Sequence, residues 1–509
     1  MRFVMLVVWF AFLGSGSVSA DALPTVEMLR RQVAAAAGTP LKKMTMVETY
    51  ERHGSHGRRT SFRSGDDKRT VVEEAPFTYA TGEFGKQVWH QNVNGQTVLD
   101  QPEAGRATTD KITTTVAPIV DPVFGYVISS LNRAGYGSRE YVEAATSRVV
   151  RVDDIEAAQT TTRAFDDFRT VGGETRSWHW TVRDGHVEND AEYRVVSIVP
   201  DARPSDVEIA PPRRELVKFP PGVSEVALPV QLRGGNFSVR LTVAGRGLDF
   251  ILDTGASGIT IDDGVARQLG LPVYSRYSNG ANAGRYLGGS TIVPSVLVGD
   301  LAMKDVVMSL TPNLLANYDE VASGVKPVGL LGFDFIAALA LKLDYEHGAI
   351  TASDSNRFVP PTTPHTIALD VRLGSQQPLV DVAIDGALGE RFVVDTGSPA
   401  PVMLFDYFQR RHPEALVDRG GGGDARGLRF SGVGGRFETK PYQLDSMRLG
   451  SAVFKQFLAY AVRSRAAYGG DEDGLIGTTF LQLFNVYLDY GDSRIYLEPN
   501  AYGQTARTR

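Results

Sequence analysis

The sequence predicts a mainly β protein, in which two tandem β lobes follow a β-rich, half-barrel-like domain. Three observations support this prediction. Short segments of alternating apolar and polar residues, separated by turn residues, recur along the 509 residues. Proline-rich stretches at 211–221 and 360–364 divide the chain, as extended linkers do. The two parts after the first linker share the same landmarks in the same order. We therefore expect domains at 21–215, 222–358 and 362–500.

The first 20 residues have the pattern of a signal peptide. Arg2 supplies a positive charge, residues 3–13 are apolar, and small residues lead up to Ala20. This apolar run is shorter than the ~20 residues that a membrane-spanning helix needs. The sequence therefore predicts cleavage after Ala20 and export to the periplasm or the medium.

Composition excludes several functional classes. The chain has no cysteine, which excludes disulfides, thiolate catalysis, cysteine-based zinc sites and a lipid anchor on cysteine. Its net charge is −6 and no dense basic run stands out, so we expect no nucleic-acid partner. The close histidines His53 and His56 lie in a segment typical of a solvated turn. We expect neither a metal nor an organic cofactor.

The region from 21 to about 210 is predicted to form a β-meander or half-barrel. It begins with an amphipathic stretch at 26–36 and continues with short alternating segments. Asn94-Gly95 and Asp184-Gly185 are hairpin-turn signals between such segments.

The repeated landmarks centre on two Asp-Thr-Gly triplets, which begin at Asp253 and Asp395. In each copy an alternating segment, a glycine-containing turn and a run of bulky apolar residues lead into the triplet. A Gly-apolar-apolar-Gly element follows, ending at Gly332 and Gly477, and a Leu-Asp-Tyr triplet comes next. The aspartates lie 142 residues apart and these glycines 145 residues apart. Landmarks in one order at nearly constant offset predict an internal duplication.

Two buried carboxyl groups that face each other suit the activation of water. They share one proton, because both cannot ionise easily at short distance. The ionised member then acts as a general base, and the protonated member polarises a carbonyl. This chemistry predicts Asp253 and Asp395 as catalytic residues. The threonine hydroxyls that follow them are expected to lock each loop to the opposite lobe, and the glycines to donate N–H groups. These dyad-supporting residues are Thr254, Gly255, Thr396 and Gly397.

On these motifs the chain resembles the retropepsin and pepsin-like aspartic peptidases, over about 225–355 and 366–498. The resemblance is carried by Phe250–Ser257, by Phe392–Ser398 and by the two apolar-apolar-Gly elements. It implies two retropepsin-like lobes, a dyad formed within one chain and hence a monomer, and a peptide or protein substrate. It also implies that each apolar-apolar-Gly element packs behind its own aspartate loop. The residues concerned are Leu331, Gly332, Ile476 and Gly477.

The family also has a hairpin flap that closes over bound peptide. Glycine-rich hairpins occur at corresponding places in the two copies and suit mobile lids, although ordinary surface hairpins are the alternative. The flap candidates are Tyr286, Gly288, Gly432 and Gly434.

Two features of the second copy depart from the family pattern. Pro399 follows the second motif and removes a backbone donor near the site. The run Gly420–Gly423 predicts a floppy insertion. An inactive second lobe is therefore an alternative, in which the protein binds peptide or lipid without cleaving it.

The N-terminal domain resembles the half-open β-barrel of lipoprotein-carrier domains, through residues 168–173 and the strand up to Val199. That resemblance implies an apolar ligand cavity, which Trp89, Trp178 and Trp180 are candidates to line; ordinary core positions are the alternative. A third hypothesis makes residues 21–210 a pro-domain. The favoured hypothesis is an aspartic endopeptidase.

Overall fold

The structure is a computed structural model, which describes residues 23–85, 87–100, 111–119, 123–156, 159–200, 214–281, 284–314, 326–416, 429–432, 435–462 and 472–507. The predicted signal peptide, the run Gly420–Gly423 and the flap candidate Gly434 lie outside these residues. The chain is mainly β, as predicted. No helix in the described ranges is long and apolar enough to cross a membrane.

The N-terminal region forms one 13-stranded antiparallel sheet behind a single long helix, α1 (Val26–Ala37). The Thr25 hydroxyl caps α1 by accepting from the Met28 N–H at 3.2 Å, and Leu29 packs against Ile128 and Val142 of the sheet. The strands are β1 (Lys43–Arg52), β2 (Ser55–Ser64), β3 (Asp67–Glu74), β4 (Phe77–Phe84), β5 (Gln87–Gln91), β6 (Thr97–Asp100), β7 (Thr113–Pro118), β8 (Phe124–Leu131), β9 (Gly137–Glu143), β10 (Val149–Ile155), β11 (Thr160–Val171), β12 (Glu174–Arg183) and β13 (Ala191–Val199).

The strand order is β6-β5-β4-β3-β2-β1-β13-β12-β11-β10-β9-β8-β7, so the sheet stays open at β6 and β7. Antiparallel neighbours turn alternately at the two ends of a sheet. The turns after β1, β3, β5, β8, β10 and β12 therefore share one end, which we call the loop rim. The predicted turns Asn94-Gly95 and Asp184-Gly185 both belong to the loop rim.

The three tryptophans of this domain occupy different environments. Trp89 is buried in the sheet, with 1% of its surface exposed. Trp180 stacks on Tyr193, and the Arg59 guanidinium covers both rings. Trp178 lies under the Arg169 guanidinium. The apolar ligand stays a prediction.

The first lobe follows the N-terminal sheet in the chain. Its elements are β14 (Val217–Lys218), β15 (Glu225–Ala227), β16 (Val230–Arg233), β17 (Asn236–Val243), β18 (Arg246–Leu252), β19 (Ile259–Asp262), α2 (Asp263–Gln268), β20 (Tyr274–Ala281), β21 (Gly284–Val298), β22 (Leu301–Thr311), β23 (Gly329–Leu331), α3 (Phe333–Ile336), β24 (Ala340–Asp344) and β25 (Ala349–Ser353). Asp262 caps α2 by accepting from the Gly264 and Val265 N–H groups.

The second lobe repeats this plan. Its elements are β26 (Ile367–Asp370), β27 (Leu379–Ile384), β28 (Ala387–Val394), β29 (Val402–Leu404), α4 (Asp406–Arg411), β30 (Arg429–Gly432), β31 (Gly435–Leu449), β32 (Ala452–Val462), β33 (Gly474–Ile476), α5 (Thr478–Leu481), β34 (Phe484–Asp489), β35 (Arg494–Pro499) and α6 (Ala501–Arg507). Short 3-10 helices cover Val187–Asn189, Ser355–Arg357 and Pro413–Leu416.

Each lobe contains a closed ring of six strands. The ring order is β17-β18-β23-β19-β22-β21 in the first lobe and β27-β28-β33-β29-β32-β31 in the second. Corresponding pairs match in direction: β18–β23 and β28–β33 are parallel, whereas β19–β23 and β29–β33 are antiparallel. The two copies therefore fold alike, strand by strand.

A six-stranded sheet joins the lobes in the order β15-β25-β24-β34-β35-β26. Its central strands, β24 and β34, come from different lobes and pair antiparallel, with Lys342 opposite Tyr487. One hydrophobic cluster runs through both lobes, from Phe237 and Phe250 to Phe392 and Phe408. This shared sheet and core bring the ends of β18 and β28 to one junction.

Candidate active site at the lobe junction

Asp253 and Asp395 stand at the ends of β18 and β28, directly after fully buried residues. Their exposed fractions are 9% and 4%. The Gly255 N–H donates to Asp253 Oδ1 at 2.8 Å, and the Gly397 N–H donates to Asp395 Oδ1 at 2.8 Å. A buried carboxylate is costly without such donors. Each loop thus provides an N–H donor that offsets the cost of burying its aspartate.

The two loops are cross-linked by their threonines. The Thr254 N–H donates to Thr396 Oγ1 at 3.1 Å, and the Thr396 N–H donates to Thr254 Oγ1 at 3.0 Å. Each hydroxyl also donates to a carbonyl of the opposite lobe: Thr396 to Leu252 at 2.8 Å, and Thr254 to Val394. The residues that were predicted to lock the loops therefore lie in one reciprocal network.

The glycines leave room for the opposite aspartate. A Cβ atom on Gly255 would lie 2.9 Å from Asp395 Oδ2, and one on Gly397 would overlap the Asp253 carboxyl carbon. Each carboxyl group therefore stands against the glycine of the other loop. The structure brings all six predicted dyad and support residues together.

Burial raises the pKa of Asp253 well above its ordinary value, and the negative charge of Asp395 raises it further. The N–H donors of Gly255 and Ala256 offset part of this effect. Each of two adjacent buried carboxyl groups makes ionisation of the other harder. The arrangement favours one shared proton on the pair.

The apolar-apolar-Gly elements pack behind the loops, as the resemblance implied. The Asp253 N–H donates to the Leu331 carbonyl at 3.1 Å, and the Asp395 N–H donates to the Ile476 carbonyl at 2.9 Å. A side chain at the following residue, Gly332 or Gly477, would overlap backbone carbonyls of the loop in front. These elements fix the backbone of each aspartate.

Pro399 does not remove a donor to the second aspartate. The N–H groups that reach Asp395 Oδ1 belong to Gly397 and to Ser398, the latter at 3.0 Å. Both precede the proline, and the Pro399 carbonyl itself accepts from the Thr479 hydroxyl at 2.6 Å. The departure from the family pattern therefore leaves the local hydrogen bonds of the carboxyl group intact.

Two buried tyrosines beside the dyad were not predicted as site residues. Tyr345 and Tyr490 end the two Leu-Asp-Tyr triplets, and their exposed fractions are 3% and 2%. Burial raises the pKa of both phenols, and so does the nearby charge of Asp395. Among the described residues neither hydroxyl has a hydrogen-bond partner. The repeated Leu-Asp-Tyr pattern was the signal that could have identified them.

The flap candidates lie on corresponding hairpins. Tyr286 and Gly288 belong to β21 of the β20–β21 hairpin, and Gly432 ends β30 of the β30–β31 hairpin. Burial raises the pKa of the Tyr286 phenol, whose oxygen accepts from the Asn279 amide at 3.3 Å. The hairpins are therefore present at both predicted positions.

The loop rim of the N-terminal sheet contacts the β20–β21 hairpin directly. The Asn189 amide donates to the Ser278 carbonyl at 2.9 Å and accepts from the Ser278 N–H at 2.8 Å. Arg285 donates to Gln159 at 2.8 Å and pairs with Asp184 at 3.3 Å. This hairpin is thus held by the N-terminal domain from one side.

The loop rim also reaches the second lobe. The Tyr136 hydroxyl donates to Asp406 at 2.8 Å, and its ring stacks on Tyr407 with centroids 5.6 Å apart. Contacts across domains of this kind had no local signature in the sequence.

Within the described ranges, no three histidine, aspartate or glutamate side chains come together as metal ligands would.

Comparisons with known proteins give a family match for part of the first lobe. Residues 239–335 match the family model described as aspartyl protease. No curated protein matches the chain.

Among solved structures, a retropepsin-like aspartic protease from Rickettsia conorii is similar at 20% identity, covering 27% of this chain and 92% of its own, with a TM-score of 0.20. Soybean basic 7S globulin is similar at 11% identity, covering 56% of this chain and 97% of its own, with a TM-score of 0.33. A LolA superfamily protein from Nitrosomonas europaea is similar at 12% identity, covering 37% of this chain and 98% of its own, with a TM-score of 0.28. The family model covers the segment that contains Asp253, and it confirms there the resemblance to aspartic peptidases that the motifs predicted.

Proposed function

We propose that the protein is an aspartic endopeptidase that hydrolyses peptide bonds with a water molecule activated by Asp253 and Asp395. The observation that carries this proposal is the reciprocal threonine network, which holds two buried aspartates against each other's glycine loop. The family match over residues 239–335 supports the same chemistry.

The reaction follows from a pair of carboxyl groups that holds one proton. The ionised member takes a proton from water, whose oxygen attacks the scissile carbonyl carbon, while the protonated member donates to the carbonyl oxygen. Collapse of the tetrahedral intermediate breaks the C–N bond. The leaving nitrogen receives a proton from the pair, and one hydroxyl of the intermediate returns a proton to the pair, which restores its starting state. The raised pKa of Asp253 keeps the shared proton in place as the pH rises above the usual range of carboxyl groups.

Replacement of either aspartate tests the proposal. Asp253→Asn and Asp395→Asn each prevent the shared-proton state, so hydrolysis of an unfolded protein such as casein is expected to disappear, with the fold unchanged by circular dichroism. Asp300→Asn is the matched control, because Asp300 is an exposed residue of the first lobe. Full activity in either dyad variant would refute the proposal.

A statine-type inhibitor separates a working dyad from an inactive binding protein. Its hydroxyl mimics the tetrahedral intermediate, and a catalyst binds such a group more tightly than the substrate. We expect tight binding to the wild-type protein and loss of binding in Asp253→Asn. Binding of peptide without binding of the inhibitor would favour the inactive alternative.

We further propose that the protein acts outside the cytoplasm, after cleavage behind Ala20. The support is the charge and apolar pattern of residues 1–20. The N-terminal sequence of protein recovered from the periplasm or medium tests this part independently of activity.

A further inference from the structure

A cavity of about 520 Å³ lies between the N-terminal sheet and the first lobe. Six of its lining residues are apolar or aromatic and come from both sides. They are Phe77, Tyr79, Val93, Ile259, Tyr277 and Val307. We call this space the rim cavity, because the loop rim forms one of its walls.

Residues that flank the proposed active site in the sequence line the rim cavity. Ser257 and Gly258, which line it, follow the Asp253 loop by a few residues. Gln376 also lines it, and its neighbour Gln377 donates its side-chain N–H to the Gly255 carbonyl. Tyr277 of the β20–β21 hairpin also lines it. The cavity is thus bordered by the residues that follow the aspartate loop and by the β20–β21 hairpin, which would cover a bound peptide.

Glu74 and Arg52, which line the rim cavity, already pair with each other. Glu74 accepts from the Tyr50 hydroxyl at 2.5 Å, from Arg52 at 3.0 Å and from the Ser275 hydroxyl at 2.8 Å. An incoming charged side chain would have to displace one of these partners and lose its own hydration. An uncharged side chain displaces no partner of Glu74 and loses no charge hydration.

Hydrogen bonds dock the β5–β6 turn, which lines the rim cavity, on the first lobe. Asp334 is 3% exposed and accepts from the Asn94 amide at 2.6 Å and from the Asn92 amide. Asn94 also exchanges hydrogen bonds with the Val307 backbone, at 2.8 and 2.9 Å. These contacts fix the turn that carries Val93. A preformed wall of this kind keeps the shape of a pocket constant.

We propose that the rim cavity is a substrate subsite that receives one large apolar or aromatic side chain of a bound peptide, with the N-terminal sheet supplying part of the wall. This inference rests on the proposed peptidase function. The volume of the rim cavity lies in the usual range of ligand pockets, roughly 300–1,000 Å³. The N-terminal domain then determines specificity.

Val93→Trp tests the inference. Val93 is exposed to 37%, so a larger side chain is accommodated without repacking a core and narrows the cavity. The probes are sets of internally quenched octapeptides. Within a set, a single position near the cleaved bond carries Ala, Leu, Phe, Lys or Asp, and each position around that bond has its own set. At one position we expect the wild-type protein to prefer Phe over Ala by about 10–100-fold in kcat/KM, as filling an apolar pocket gives.

In Val93→Trp this Phe-to-Ala ratio is expected to fall at least about tenfold. Val196→Trp is the matched control, because Val196 is a 58% exposed residue of the same sheet that does not line the cavity. An unchanged ratio in Val93→Trp, or a preference for Lys or Asp at that position, would overturn the inference while leaving the peptidase proposal standing.

A binding measurement keeps the two proposals separate. Should the wild-type protein cleave none of the peptides, the peptidase proposal fails, and fluorescence anisotropy of labelled Phe and Ala peptides with Asp253→Asn then tests the cavity alone. Tighter binding of the Phe peptide that is lost in Asp253→Asn/Val93→Trp supports the subsite. Equal binding of the two peptides, or no binding, overturns it.

Discussion

Replacing Thr254 by valine is the sharpest test of the threonine network. Valine has nearly the shape of threonine but lacks the hydroxyl, so the substitution changes hydrogen bonding and little else. The lost hydroxyl donates to the Val394 carbonyl and accepts from the Thr396 N–H at 3.0 Å. Thr254 is 1% exposed, so water does not readily replace it.

The expected magnitude follows from the two backbone groups that lose their partner. Each buried, unsatisfied polar group costs about 1–3 kcal/mol, so Thr254→Val is expected to lower the free energy of unfolding of the lobes by about 2–6 kcal/mol. The loop that positions Asp253 also loosens. A displacement of about 1 Å at a reacting group costs on the order of 100-fold in rate, and kcat/KM is expected to fall by that order.

The assay can resolve the domains because all four tryptophans precede the lobes, at positions 9, 89, 178 and 180. In urea titrations, tryptophan fluorescence reports the N-terminal sheet and circular dichroism reports the whole chain. Thr254→Ser keeps the hydroxyl and is expected to retain most of the stability. Thr115→Val, on the exposed strand β7, is expected to stay within about 0.5 kcal/mol of wild type. A Thr254→Val protein as stable and as active as Thr115→Val would refute the reasoning.

Two further predictions concern the contacts of the N-terminal domain. Burial raises the pKa of Asp334 to about 6 from 3.8, so the folded state holds the proton more tightly; this contribution to stability is present below pH 3.8 and is lost as pH rises through about 6. The loss amounts to about 3 kcal/mol. We expect the free energy of unfolding of Asp334→Asn to lack this decrease with pH, and that of the Asp300→Asn control to keep it. The same pH dependence in Asp334→Asn as in the wild type would contradict this prediction. Asn189→Ala removes both hydrogen bonds to Ser278, so amide hydrogen exchange in β20 is expected to accelerate about 10- to 30-fold, whereas exchange unchanged from that of the exposed Asn356→Ala control would contradict the proposed restraint.

The fold class and the meeting of the aspartates were predictable because their signals are local and occur twice. A strand that alternates, turns and ends in Asp-Thr-Gly specifies its own geometry within about 20 residues. Finding the same order again around Asp395 indicates how the two pieces face each other. The duplication itself remains a hypothesis, although the matching strand rings agree with it.

The effect of Pro399 was not predictable from the same rules. Proline lacks an N–H, which made a weakened second site a reasonable expectation. Whether a missing donor matters depends on the register of the turn. Here the carboxyl group uses the N–H groups of Gly397 and Ser398, which lie two residues and one residue before the proline.

The docking of the N-terminal sheet was also beyond the sequence. Asn94-Gly95 was predicted as a hairpin turn, and it is one, but its amide meets Asp334, 240 residues further along the chain. A single polar contact at that separation leaves no periodic pattern. Asp334 itself stood next to a recognised motif without any sign that a distant asparagine would reach it.

This docking bears on the hypothesis that residues 21–210 are a removable pro-domain. Val98 of β6 is 4% exposed and belongs to the hydrophobic cluster that runs through both lobes. Cleavage near Gly222 would uncover this apolar surface and leave Asp334 without its two amide donors. These contacts favour an N-terminal sheet that remains part of the folded protein over a pro-domain that is removed, and we expect the mature protein to retain it.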